Sequence, residues 1–252
     1  MSKKRTIAVL LMTFLWSIVC QPVLAAEEAK MYKLGRDNIQ VNCDGVEADV
    51  SCVITDPEGR RIGYDSRTEA KYREIEGTWG RSGSYCHDCE YREGVEAIFN
   101  LIDGEYTVEL IGEGLTEYFV DAGISSRTRN DWKTTSVHGV IDEGKSSVVK
   151  FTFSSEPDKP LAGLFRTSTP QSLKQDITLS RKIGWIDNDG IMKSLLKKAE
   201  AAEESIERGN TRAAENELKA LINEVEAQTE KHISKEASTI LIEDAQYIID
   251  NL

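Results

Sequence analysis

The sequence has little histidine and lacks the short motifs that mark many enzymes. Only His87, His138 and His232 occur among its 252 residues. It contains no Gly-x-Ser-x-Gly turn, no His-Glu-x-x-His pair and no glycine-rich phosphate loop. Carboxylates are abundant because the chain is acidic, so no particular pair of them indicates a glycosidase. The sequence therefore gives no evidence for an enzyme, and we predict no catalytic residue and no cofactor.

Positive charge is also in short supply. The chain has 31 lysines and arginines against 43 aspartates and glutamates, which gives a formal net charge of −12. Nucleic-acid-binding proteins carry clustered lysine and arginine, and anionic lipid attracts basic segments. The charge balance therefore predicts that neither nucleic acid nor a membrane surface is a partner.

Long apolar runs are confined to the N-terminus. Three cations, Lys3, Lys4 and Arg5, precede an apolar run from Ile7 to Val19 and a small-residue exit. This layout predicts a signal peptide over residues 1–25. A membrane anchor is disfavoured because a span needs about 20 apolar residues and this run is shorter. Lipid attachment at Cys20 is disfavoured because the preceding residue, Val19, is not small. We expect a secreted or periplasmic protein. Cleavage removes three cations, which lowers the net charge to −15, and we expect no membrane association afterwards.

Residues 33–154 show the pattern of an all-β domain. Seven short segments are rich in Val, Ile, Phe, Tyr and Thr, and several alternate apolar with polar residues: IQVNC, DVSCVIT, VEAIFNL, EYTVELIG, EYFVDAG, SVHGVI and SVVKFTF. Turn sequences such as DPEG and DEG separate some of these segments. The spacing predicts an immunoglobulin-like sandwich of two antiparallel sheets.

The period changes to a helical one in the C-terminal part. Residues 155–163 contain two of the five prolines and no periodicity, so we predict a linker there. Residues 164–252 then predict a four-helix bundle, with apolar residues every three or four positions. The predicted N-terminal helix caps are Ser168 or Thr169, Asp187 or Asn188, and Ser234, and Gly209-Asn210 is a predicted stop and restart.

Residues Gly184–Leu252 resemble a known bacterial module. The segment contains the motifs I-x-N-x-G-I, S-L-L-x-K, A-x-E-x-I-E-R-G-N and L-x-A-L-I-N-E-V-E-A-Q, and it closes with D-A-Q-Y-I-I-D. These resemble the FIMAH domain of secreted and cell-surface bacterial proteins. The resemblance implies an accessory or interaction module outside the cytoplasm and assigns no catalytic residue. More weakly, VITDPEGRRIGYD, Val53–Asp65, resembles a turn in extracellular bacterial sandwich domains.

Four cysteines remain after cleavage: Cys43, Cys52, Cys86 and Cys89. An even number in an exported chain favours disulfides. If segments 39–43 and 50–54 form a hairpin, Cys43 lies opposite Cys52, which favours the pairs Cys43–Cys52 and Cys86–Cys89 over crosswise pairs. Cys86-x-x-Cys89 leaves a thiol-redox or metal site as an alternative. We predict no metal site, because export into an oxidising space disfavours zinc.

One segment combines aromatic and basic residues, and we take it as the candidate ligand-binding surface: Tyr64, Tyr72, Trp79, Arg81, Tyr85 and Tyr91. Aromatic rings stack on sugar rings, and arginines bind carboxylates. The competing interpretation is that these side chains pack over one end of the sandwich. We expect a non-catalytic protein that recognises an extracellular or envelope polymer or a protein partner. A structural spacer is a further alternative.

Overall fold

The computed structural model describes residues 38–82, 92–98, 100–125, 133–156 and 161–252. Eleven strands are found in these residues: β1 Asn38–Gly45, β2 Val50–Thr55, β3 Arg61–Asp65, β4 Ala70–Arg73, β5 Gly77–Ser82, β6 Arg92–Ile98, β7 Gly104–Gly112, β8 Thr116–Ser125, β9 Lys133–Ile141, β10 Ser146–Phe153 and β11 Leu161–Arg166. Four helices follow: α1 Pro170–Lys182, α2 Asp189–Glu207, α3 Thr211–Gln228 and α4 Lys235–Asp250.

The strands form two antiparallel sheets that pack face to face. One has the order β5-β6-β1-β8-β9 and the other β11-β10-β7-β2-β3-β4. Alternate side chains of β1, β7, β8 and β10 fill the space between them, as the period-two pattern predicts. Ile39 and Val41 on β1 meet Ile54 on β2 and Phe151 on β10 in this core. The predicted class, a β-sandwich followed by a helical bundle, is confirmed.

The sandwich has more strands than the seven segments of the sequence analysis. The additional ones are β3, β4, β5 and β11, and three of these lie at sheet edges. Their sequences, RIGYD, AKYR, GTWGRS and LAGLFR, are short and rich in glycine or charge. Edge strands are commonly short and charged because this prevents pairing with other chains, and such strands show little alternation.

Strand β11 extends the sandwich into the region predicted as linker and helical domain. Phe153 pairs with Leu161 and Val149 with Arg166, so β11 is hydrogen-bonded to β10. The predicted linker, 155–163, therefore overlaps a strand at residues 161–163, and the predicted domain start at residue 164 lies within that strand. Proline and glycine near its beginning hide the strand pattern in the sequence.

The four helices pack into a bundle in which consecutive helices touch and α1 also contacts α4. Each helix contributes small or branched apolar residues to a separate core, including Leu173, Leu195, Leu218 and Leu241. Their N-terminal caps are Thr169, Asn188, Asn210 and Ser234, as the sequence predicts at these boundaries. Each cap side chain accepts a backbone N–H that the helix leaves unpaired.

Among the described residues, none of the helices has the length and apolar content that crossing a membrane requires. The predicted signal peptide, residues 1–25, lies outside the described residues.

Candidate functional site

Four of the six predicted ligand-binding residues lie on strands. Tyr64 is on β3 and Tyr72 on β4, at one side of the six-stranded sheet, while Trp79 and Arg81 are on β5, an edge strand of the other sheet. The segment from Tyr64 to Arg81 thus contains parts of three strands and changes sheet between β4 and β5. Tyr85 and Tyr91, together with Cys86 and Cys89, lie outside the described residues.

Tyr64 and Tyr72 point to opposite faces of their sheet. Tyr64 pairs with Lys71, and Tyr72 pairs with Gly63. Paired residues share a face, and successive residues alternate between faces. The contacts agree, since Lys71 Nζ lies 5.7 Å from the Tyr64 ring centre and Arg61 Cζ lies 4.0 Å from that of Tyr72. The structure therefore does not bring the two tyrosines together on one surface.

On the outer face, Arg61 is held between Tyr72 and Glu74. Its Nη2 donates to Glu74 Oε1 at 3.1 Å and its backbone N–H to Oε2 at 2.8 Å. The hydrogen bonds from Arg61 lower the pKa of Glu74. Both groups are exposed, so the pair is a small charged and aromatic platform with little effect on stability. Sequence reasoning missed Glu74 because only the strand register brings it opposite Arg61.

Tyr64 lines a cavity of about 350 Å³ at one end of the sandwich. The turns β3–β4, β7–β8 and β9–β10 meet there. Polar residues supply most of the other walls, including Ser66, Arg67, Glu113 and Glu143. We call this space the turn-end cavity. The sequence analysis named Tyr64 but missed the other wall residues, because they come from turns far apart in the chain.

The positions of the charged groups around the turn-end cavity are fixed by ion pairs. Arg67 Nη2 donates to Asp65 Oδ2 at 3.0 Å and to Glu109 Oε1 at 2.8 Å. The hydrogen bond from Arg67 lowers the pKa of Asp65. Burial, and the nearby charge of Asp49, raise the pKa of Glu113, although Ser66 opposes this. The cavity thus combines an aromatic ring, a positioned guanidinium and carboxyl groups, which together donate and accept hydrogen bonds.

The structure contains the predicted Cys43–Cys52 disulfide, with the two Cα atoms 6.6 Å apart. Within the described part of the chain, no group of three or more His, Cys, Asp or Glu side chains is arranged to hold a metal ion.

The comparisons with known proteins concern the C-terminal part of the chain. Its fold is that of a small all-α module attached to a sandwich. Residues 170–250, from the first residue of α1 to the last of α4, match the FIMAH domain. The four helices are therefore a FIMAH domain, a domain found in surface proteins. The family match confirms the resemblance and extends it by one helix beyond Gly184. No curated protein matches the chain, and no solved structure does.

Proposed function

We propose that this chain is an exported, non-catalytic binding protein whose sandwich recognises a hydroxyl-rich extracellular or envelope polymer. The FIMAH domain would serve as its accessory module. Support for export comes from three features: the signal-peptide pattern of residues 1–25, the Cys43–Cys52 disulfide and the occurrence of FIMAH domains in surface proteins. Disulfides persist in oxidising compartments and are rare in the cytosol.

The observation that carries the proposed binding activity is the composition of the turn-end cavity. Its wall presents the ring of Tyr64 beside Arg67, Glu113 and Ser66. An aromatic ring offers an apolar face, and the surrounding polar groups fix the orientation of a bound ring that carries hydroxyls. A cavity of about 350 Å³ is within the range of small-ligand sites. It suits one or two sugar units of a longer chain.

The Arg61–Tyr72 platform is a second surface on the same β3–β4 hairpin. Its guanidinium lies over the aromatic ring, and Glu74 holds it in place. Since Glu74 already accepts from Nε and Nη2 of Arg61, the platform would attract a carboxylate-bearing unit through its charge and its remaining guanidinium N–H groups. The two surfaces predict different polymers: neutral chains for the cavity and acidic chains for the platform.

Binding to a panel of neutral and acidic polysaccharides and to envelope fractions tests the proposal. The mature protein should be retained by at least one neutral polymer, and Tyr64→Ala should weaken retention on the order of tenfold. Phe119→Ala is the matched control, because Phe119 is an exposed aromatic on β8 of the other sheet. Tyr72→Ala reports on the platform. Equal retention of Tyr64→Ala and Phe119→Ala by a neutral polymer would contradict a site in the cavity.

The alternative thiol-redox or metal function depends on Cys86 and Cys89 and stays a prediction that thiol labelling checks. A protein without free thiols agrees with the binding function. A reactive thiolate near neutral pH would favour the redox alternative.

A further inference from the structure

The sandwich and the FIMAH domain meet at a buried arginine. Arg166, the last residue of β11, is only 8% exposed. Its Nη2 donates to Asp176 Oδ2 of α1 at 2.5 Å and to Asp244 Oδ1 and Oδ2 of α4 at 2.7 and 2.8 Å. Both aspartates are buried as well. One strand of the sandwich thus supplies the cation for two carboxylates of the helical domain.

The core of the sandwich makes room for this arginine at a glycine. Arg166 pairs with Val149, so its side chain enters from the inner side of the sheet. A Cβ atom at Gly139 of β9 would lie 2.4 Å from Arg166 Nη1 and 2.4 Å from the Tyr118 hydroxyl oxygen. The same hydroxyl lies 2.6 Å from Ser147 Oγ. The guanidinium is therefore enclosed by packed residues of the sandwich.

The charges of this cluster do not balance when every group is ionised. One guanidinium faces two carboxylates, and both carboxylates approach the same nitrogen. Arg166 Nε and Nη1 are buried with no hydrogen-bond partner among the described residues. A net negative charge in a buried site is costly, and two adjacent carboxylates avoid it by retaining a proton.

The upward shift in the pKa of Asp244 supports a retained proton. Burial raises the pKa of Asp244 well above its ordinary range; Arg166 opposes this and Asp176 adds to it. Burial lowers the pKa of Arg166, but the charges of Asp176 and Asp244 raise it, and the net shift is upward. Arg166 therefore stays charged, and one carboxyl proton makes the cluster neutral.

We propose that Arg166, Asp176 and Asp244 form a proton-dependent latch between the sandwich and the FIMAH domain. The latch is closed while Asp244 keeps its proton beside Asp176 and Arg166, and it weakens when that proton is lost. Two other contacts flank it: the rings of Phe165 and Tyr247 stack with centres 5.8 Å apart, and Lys182 Nζ lies 2.8 Å from Asp142 Oδ2.

The latch weakens as the pH rises. Asp244 has a folded-state pKa above its unfolded value, so its contribution is full at low pH and is lost above the raised pKa. Between the unfolded and the raised folded pKa the equilibrium constant for opening should rise up to tenfold per pH unit, as one proton requires, and above the folded pKa it should level off.

The other ionisable groups near the latch include Tyr118 of β8, the Lys182–Asp142 pair, and His138 of β9 with Glu117 and Glu236. Burial raises the pKa of Tyr118, so it stays neutral across this range. The hydrogen bond from Lys182 lowers the pKa of Asp142. The pKa of Glu236 is lowered by a hydrogen bond from its own backbone N–H, and the nearby His138 lowers it further. The stabilisation from these two carboxylates is lost on acidification, so its pH dependence is opposite in sign to that of the latch.

Asparagine variants of the full mature chain test the shared proton. Asp244→Asn and Asp176→Asn each leave one carboxylate for one guanidinium, so each should remain folded and lose the decline in Tm with rising pH. The double variant leaves Arg166 buried and unpaired, and its loss of Tm should exceed the sum of the single losses. Asp142→Asn, the control at the same interface, should keep the decline of the wild type with rising pH.

Two measurements between pH 4 and pH 10 decide the outcome, because the decline begins near the ordinary pKa of an aspartate. Thermal unfolding gives the decline in Tm, and small-angle X-ray scattering of the full chain shows whether the two halves separate. A declining wild type whose slope disappears in Asp244→Asn supports the latch. A flat wild-type profile, or Asp244→Asn with the wild-type slope, would overturn it, as would additive losses in the double variant.

Discussion

Cys43 and Cys52 are bonded to each other from different sheets of the sandwich. Cys43 lies on β1 of the five-stranded sheet and Cys52 on β2 of the six-stranded sheet. Both side chains point into the core, where they are nearly fully buried. The disulfide therefore joins the two layers at the point where the chain crosses from one to the other.

We predict that replacing both cysteines by alanine lowers the free energy of unfolding by roughly 3 kcal/mol. A disulfide that closes a loop of about ten residues restricts the unfolded chain by that amount. Urea denaturation of the oxidised wild type and of the double variant measures it. Reducing agent should lower the midpoint of the wild type by more than that of the variant, which keeps only the predicted Cys86–Cys89 pair. Equal midpoints for the oxidised wild type and the variant would contradict a stabilising bridge.

The cysteine pairing shows what a strand pattern contains and what it omits. Alternation correctly predicts that Cys43 faces the core together with Val41, and Cys52 together with Ile54. The pattern does not show which strands pair, so the predicted hairpin is wrong: β1 pairs with β6 and β8, and β2 with β3 and β7. A short connection can turn back within a sheet or cross to the other one, and its sequence does not separate the two cases.

The motif TDPEGRRIGYD forms a turn held together by Asp56. Asp56 Oδ1 accepts the backbone N–H groups of Glu58 at 3.0 Å and Arg60 at 2.9 Å, and Oδ2 accepts Arg60 Nε at 2.7 Å. We predict that Asp56→Ala destabilises the protein by about 1–3 kcal/mol, because two backbone N–H groups of the turn and the Arg60 side chain lose the acceptor that the buried Asp56 carboxylate provides. Glu58→Ala on the exposed side of the same turn is the control. A thermal melt of Asp56→Ala that matches the control would contradict this role.

The sequence alone does not predict the contact between the sandwich and the FIMAH domain. Asp176 and Asp244 lie 10 and 78 residues from Arg166, and no local pattern links them. Helix positions and caps were predictable because their signals span a few neighbouring residues. The partners of a buried charge are set by the packing of whole elements, and only the structure supplies that packing.

Gly139 is a position where the packed core leaves no room for a side chain. We predict that Gly139→Ala lowers the free energy of unfolding by about 1–3 kcal/mol, the usual effect of overpacking. The added Cβ would meet Arg166 Nη1 and Tyr118 at 2.4 Å. Ser136→Ala, at an exposed position on the same strand, is the control. Chemical denaturation checks the difference between the two variants, and an unchanged Gly139→Ala protein would mean that the interface has room to adjust.

Trp79 lies on β5, an edge strand of the five-stranded sheet. It pairs with Val95 at a register shift between Thr78 and Trp79, and such irregularities commonly redirect side chains at binding sites. We predict that Trp79→Ala weakens polymer binding by about 2 kcal/mol, the effect of removing a hot-spot aromatic, and leaves Tm nearly unchanged. Measuring retention and Tm on the same preparation separates this from a packing role. A packing role would instead lower stability by the several kcal/mol typical of a buried aromatic. A folded Trp79→Ala protein with full retention would remove β5 from the binding surface and leave the turn-end cavity as the region to test.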